Sequence, residues 1–160
     1  MKIGLAIAEL ADAEERLASE LERAAERHKA DHDVHHLGST LAAISRAHVE
    51  ELAALGKRDD AGVEADGSSS AGVLGALREK ASELTGRREE AGLLLLRDLR
   101  ELFLLASDVS IGWTMLGQAA QAARDAELLE LVSRAHPDTL RQLKWVTTRV
   151  KQAAPQVLTG

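Results

Sequence analysis

The sequence has no cysteine and no tyrosine, and its 160 residues include two prolines, two tryptophans and one phenylalanine. Without cysteine, disulfides, thiolate metal sites and cysteine nucleophiles are excluded. A β-sheet protein draws on aromatic and β-branched residues, so this scarcity of aromatic residues disfavours one. The longest uncharged apolar run, residues 109–123, is too short and too polar to span a bilayer. Together with an N-terminus that lacks a signal-peptide pattern, this predicts a cytoplasmic location without membrane contact.

What the sequence does contain is typical of a helical globular protein. Hydrophobic residues make up 45% of the chain and charged residues 29%, with alanine and leucine dominant. Alanine and leucine are the strongest helix formers, and a chain of this length forms one domain, predicted to cover residues 1–160. The formal net charge is −6, and a surface of this sign repels phosphate. Nucleic acid is therefore not an expected partner.

The chain is organised around the apolar stretch from residue 93 to residue 123, which reads as one long helix. Apolar and small residues recur every three or four positions, which gives one core stripe at about 100° per residue. A second apolar group lies well round the helix from that stripe, and consists of Leu93, Leu104, Ile111 and Met115. A helix that is apolar on two sides requires two neighbours, its own core and something else.

Three further amphipathic helices complete the prediction. The first covers residues 3–27, the second ends at Gly56 with Asp33 as its N-cap, and the last covers residues 126–153. A flexible loop is predicted over residues 57–71, and a short extra helix over residues 73–84. The expected fold is all-α, an antiparallel up-down four-helix bundle with a short extra helix in the second connection.

The two prolines fall on the last helix, where the sequence predicts local disruption. Pro137 lies inside the apolar pattern, which predicts a kink or brief interruption near Ala135. Pro155 is expected to end the helix, since proline lacks the backbone donor that continues it.

Four polar side chains lean toward the predicted core and could meet there: Glu14, His48, Glu51 and His136. Carboxylates and imidazoles that project inward from facing helices can hold iron, zinc or manganese. The alternative is a polar layer in which these side chains satisfy one another, because buried polar groups need partners.

Histidines also cluster at the turn between the first two helices, as His28, His32, His35 and His36. Of these, His28, His32 and His36 form a second candidate metal site, although their spacing matches no specific metal motif. The alternative is a solvated turn whose histidines lie at helix ends. A third interpretation is a turn that senses acid, because histidine titrates near neutral pH.

The helix count, the helix lengths and the inward-facing acids and histidines resemble the ferritin-like bundle proteins. That resemblance implies carboxylates on two helices and Glu-x-x-His on the other two. This sequence departs from that pattern. His48 precedes Glu51, which reverses the Glu-x-x-His order, and Ser133 occupies the glutamate position three residues before His136. At the corresponding height the central helix has Ser110 and Trp113 in place of a carboxylate. The resemblance therefore implies at most a single metal. The stretches RHKADHDVHHLG and TLRQLKWVTTRVKQAAPQVL are similar to helical proteins of actinobacteria with no known activity.

We expect a non-enzymatic interaction or structural protein without a cofactor, assembled as a homodimer or with a protein partner. The predicted interface residues are Leu93, Leu104, Ile111 and Met115, together with Trp145 on the outer side of the last helix. The competing hypothesis is a ferritin-like metal-binding protein. If such a protein is an enzyme, the expected class is oxidoreductase.

Overall fold

The computed structural model describes residues 2–59 and 88–160, and these ranges contain four helices joined by short turns and no strand. The helices are α1 (Lys2–Arg27), α2 (His32–Asp59), α3 (Arg88–Ala123) and α4 (Ala126–Thr159). The expectation of an all-α protein with four long helices is confirmed for the described ranges. Residues 57–59 extend α2 beyond the predicted end at Gly56. The rest of the predicted loop and the extra helix over 73–84 lie outside the described residues.

The turn from α1 to α2 is short, as predicted, but a different residue caps α2. The backbone amide of Val34 donates to Oδ1 of Asp31 at 3.2 Å. Because α2 begins at His32, Asp31 occupies the N-cap position. The prediction that Asp33 caps this helix was wrong, because the cap lies two residues earlier. Aspartate at either position carries the same N-cap signal in the sequence.

The turn from α3 to α4 consists of Arg124 and Asp125, where the sequence predicts it. The amide of Arg124 donates to the Gln121 carbonyl, and that of Asp125 donates to the Ala120 carbonyl. This pair of bonds is a Schellman motif, which requires a left-handed residue, and Arg124 supplies it at φ 55°. Asp125 then caps α4 by accepting from the Leu128 amide at 3.1 Å.

α4 continues through both prolines. Its helical assignment runs from Ala126 to Thr159 with Pro137 and Pro155 inside it. The predicted stop at Pro155 was wrong, and of the predicted kink or interruption near Ala135 the helix shows no interruption. Both prolines are solvent-exposed, so the carbonyls that they leave without a backbone donor lie on the side of the helix that water reaches.

α1 packs closely against α2 and also against α3, and α4 packs closely against α3. α4 also contacts α2, where Arg134 pairs with Glu51 and Gln142 donates to Ser45. The centre contains the predicted stripe of α3, in which Leu99, Leu102, Ala106 and Trp113 are fully buried. The apolar stripe of α1 packs against it through Ile7, Leu10, Leu17 and Leu21. No helix in residues 2–59 or 88–160 is both long and apolar enough to cross a membrane.

Candidate functional site

A buried polar cluster lies inside the bundle, centred on Glu14 of α1. Glu14 is fully buried, and its Oε1 accepts from Nδ1 of His48 at 2.8 Å and from Nε1 of Trp113 at 3.0 Å. The His48 and Trp113 rings meet edge to face, with centroids 5.6 Å apart. One carboxylate oxygen thus ties α1 to both α2 and α3.

His48 bridges this cluster to α4. Its Nε2 lies 3.1 Å from Oδ2 of Asp138, and Oδ1 of the same carboxylate accepts from Arg141. Burial acts to lower the pKa of His48, but its hydrogen bonds and charge interactions with Glu14 and Asp138 outweigh burial and raise this pKa. The geometry is that of an imidazolium whose two N–H groups donate to two carboxylates.

The other two members of the predicted metal set lie elsewhere. Glu51 accepts from Arg134 at 2.8 Å in an exposed ion pair. Nε2 of His136 hydrogen-bonds Oγ of Ser110 at 2.9 Å, and burial lowers the pKa of this histidine. Glu14 and His48 are therefore the two predicted residues that the fold brings into contact.

The cluster does not fit a metal. Both ring nitrogens of His48 are engaged with carboxylates, so neither is directed at a vacant ligand position. Within residues 2–59 and 88–160, no group of three or more acidic or histidine side chains could hold an ion. The arrangement is closer to the alternative interpretation, a polar layer, in which Oε1 of Glu14 accepts from His48 and Trp113 while Oε2 accepts from none of the described side chains.

Sequence reasoning missed two members of this cluster, Asp138 and Trp113. Trp113 was predicted as core, which it is, but its indole N–H also needed an acceptor. Asp138 lies beside the predicted His136, and the rotation of α4 determines which of the two faces α2.

A second buried polar cluster lies where α1 meets α3. Asp98 is 6% exposed, and its carboxylate accepts two bonds from Nη1 of Arg27 at 2.7 and 2.8 Å. Nε2 of His28 donates to the same carboxylate at 2.7 Å. Burial acts to raise the pKa of Asp98, but the hydrogen bonds from His28 and Arg27 outweigh it and lower the pKa. Asp98 was not predicted, because a single acid in an apolar helix has no sequence signature.

The histidines of the turn therefore separate into two groups. His28 faces α3, and His35 donates from Nδ1 to the Ala25 carbonyl at 2.9 Å, at the end of α1. His32 and His36 are exposed on α2, with stacked rings whose centroids are 5.1 Å apart. The predicted set of His28, His32 and His36 does not converge on one point.

The second apolar face of α3 is exposed. We call Leu93, Leu104, Ile111 and Met115 the α3 outer face, and these side chains are 49–57% exposed. Beside Met115, a groove of about 280 Å³ runs between α1 and α3, where Arg16 and Asp108 lie at its wall. Trp145 does not share this exposure, because it is half-buried and packs against the hydrophobic core.

No protein-family profile, curated protein or solved structure matches this chain. The features of the chain that bear on function are the two buried polar clusters, the surface histidine pair and the α3 outer face.

Proposed function

We propose that this protein is a non-enzymatic interaction protein that assembles as a homodimer through the α3 outer face. The observation that supports the proposal is the exposure of four large apolar side chains, all about half accessible, along one side of one helix. An exposed apolar face of more than a few hundred Å² marks an interaction site, and on this face two exposed arginines, Arg97 and Arg100, lie between Leu93 and Leu104.

The spacing of this face is self-complementary. Leu104 follows Leu93 by eleven residues, and Met115 follows Leu104 by eleven. Eleven residues make three helical turns, so the three side chains lie in one row. If two copies of α3 cross antiparallel at Leu104, Leu93 lies opposite the partner subunit's Met115, and the two-fold axis repeats that contact.

Charges support the same register. In this arrangement Arg100 lies opposite the partner subunit's Asp108, again twice by symmetry. Both side chains are exposed on α3. Within the chain, Asp108 lies 3.4 Å from Arg16, and both side chains of that pair are about half exposed. An exposed pair of this kind contributes little, so Asp108 is free to exchange partners.

The area is sufficient for a reversible dimer. Each outer-face residue offers roughly 100 Å², so two copies bury roughly 800 Å² of apolar surface through these four positions. A specific interface buries about 1,200–2,000 Å², and the adjoining groove and the arginine stems on α3 supply the remainder.

Size-exclusion chromatography with light scattering tests the proposal across a range of concentrations. We expect a dimer for the wild-type chain and a monomer with unchanged helicity for Ile111→Lys, because in this register position 111 lies opposite the partner subunit's Arg97. Ala47→Glu, on the exposed side of α2, is the matched control and should remain dimeric. A wild-type chain that stays monomeric at high concentration would refute the homodimer.

A charge-reversal pair tests the register separately. Arg100→Glu alone should weaken the dimer, since it would lie near the partner subunit's Asp108. Adding Asp108→Arg should restore the dimer, because both pairs then regain opposite charges. If neither change alters the strength of the dimer, the antiparallel register is contradicted, although the interface itself is not.

We also infer the up-and-down antiparallel topology and the single-domain organisation. Gly38, near the start of α2, lies against Ala25 near the end of α1, whereas Gly56 lies against Ile7. These contacts support antiparallel packing of the first two helices, and the two-residue connection after α3 supports it for the last two. A cytoplasmic location belongs to the same proposal, as does the exclusion of nucleic acid as a partner, which the net charge of −6 supports.

A further inference from the structure

We propose that His32 and His36 together bind one transition-metal ion, of the copper, nickel or zinc class, on the surface of α2. The two residues are separated by one helical turn, so their side chains leave the same face of the helix. Both are exposed, and their rings already lie against each other with centroids 5.1 Å apart. This inference does not depend on the proposed dimer, which uses α3.

The ring separation fits two imidazoles bound to one ion. Metal–nitrogen distances of about 2.0–2.1 Å put the centres of two neighbouring imidazole ligands roughly 4.5–5.2 Å apart at right-angled to tetrahedral angles. The rings are inclined by 25° and nearly parallel, so each must turn about χ2 to direct a nitrogen at a common point. That torsion is soft for exposed rings, and turning His36 also changes its edge-to-face contact with the His35 ring, whose centroid lies 5.3 Å away.

The neighbouring histidines of the turn are engaged elsewhere. Nε2 of His28 donates to the buried Asp98 carboxylate, and Nδ1 of His35 donates to the Ala25 carbonyl. The described ranges contain no group of three or more ligands, so the site is a two-histidine chelate completed by water. Such a site is open and reversible, and differs from the enclosed bundle site that the ferritin-like pattern implies.

The ligand type predicts which ions bind. Two neutral imidazoles favour Cu²⁺, then Ni²⁺ and Zn²⁺, and discriminate against Mn²⁺ and Mg²⁺, which prefer oxygen ligands. A second imidazole on the same helical turn acts at high effective concentration, so the pair binds far more tightly than either ring alone.

Titration of the untagged full chain with CuCl₂ and NiCl₂, followed by calorimetry, tests the site. We expect one site per chain, about tenfold or more weaker in His32→Gln and in His36→Gln, and lost in the double variant. His35→Gln and His28→Gln are matched controls from the same turn and should retain the wild-type affinity. Far-UV circular dichroism verifies that each variant is folded.

Three outcomes would overturn the assignment. The first is wild-type affinity in the double variant, and the second is equal weakening in the His35→Gln control. The third is a wild-type chain that binds Mn²⁺ as tightly as Cu²⁺, because that order indicates oxygen ligands.

Discussion

His48→Gln is the substitution whose effect follows most directly from the structure. In the wild type, His48 donates to Glu14 at 2.8 Å and to Asp138 at 3.1 Å, and it is 4% exposed. Glutamine cannot carry the positive charge and cannot reach both carboxylates with charged donors. Glu14 then keeps one donor, Nε1 of Trp113, in a fully buried position.

The expected loss of unfolding free energy is about 3–5 kcal/mol, the usual cost of removing one partner of a buried ion pair. The double variant Glu14→Gln/His48→Gln removes both charges and should lose less than the sum of the single variants.

The pH dependence supplies a second signature. Because the pKa of His48 is raised in the folded state, its stabilisation is complete below the unfolded value and is lost as pH rises through the folded value. Wild-type stability should therefore fall as pH rises above about 6.5, the ordinary histidine pKa, by at most about 1.4 kcal/mol per pH unit. Burial lowers the pKa of His136, so its contribution to stability has the opposite sign. Stability falls through this group as the pH drops below the unfolded histidine pKa.

Urea unfolding followed by circular dichroism, at several pH values, measures both effects. His48→Gln should be destabilised near neutral pH and should lack the alkaline decline of the wild type. His36→Gln, on the exposed side of the same helix, is the control and should match the wild type. A His48→Gln variant that loses under about 1 kcal/mol and keeps the wild-type pH profile would refute the charged bridge.

Three further substitutions test the fold. Asp98→Asn should cost about 2–3 kcal/mol in urea unfolding, because Arg27 and His28 lose their charged acceptor; an unchanged midpoint would contradict that buried cluster. Arg124→Gly should raise unfolding free energy by about 0.5–1 kcal/mol, since φ is 55° there; a loss would contradict the left-handed turn. Gly38→Ala should destabilise the protein by about 1 kcal/mol. The new Cβ would lie 3.1 Å from the Ala25 Cβ and 3.3 Å from the Leu21 carbonyl oxygen, which is too close. A gain in thermal midpoint would refute that close approach.

The helices and their buried faces could be predicted from the sequence. Apolar residues at helical spacing identified the core stripe of α3, where Leu99, Leu102, Ala106 and Trp113 are fully buried. The same local pattern identified the α3 outer face, and its members are exposed as the sequence implied. Periodicity is a property of neighbouring residues, so no tertiary information is needed to read it. The predicted stop at Pro155 was wrong. Packing holds this helix in place, and a proline on its solvent side does not have to break it.

The sequence predicted that Glu14 and His48 could meet, and the other partners of the buried polar groups were decided only by the tertiary structure. Pairing across helices depends on the rotation and height of each helix, and an error of one or two residues changes the partner completely. His136 and Asp138 show this directly, because two residues turn a side chain about 200° around a helix. Packing turns His136 toward Ser110 on α3 and Asp138 toward His48 on α2. The sequence alone thus determined four helices with their apolar faces, and the rotation of α4 in the bundle decided which side chain meets His48.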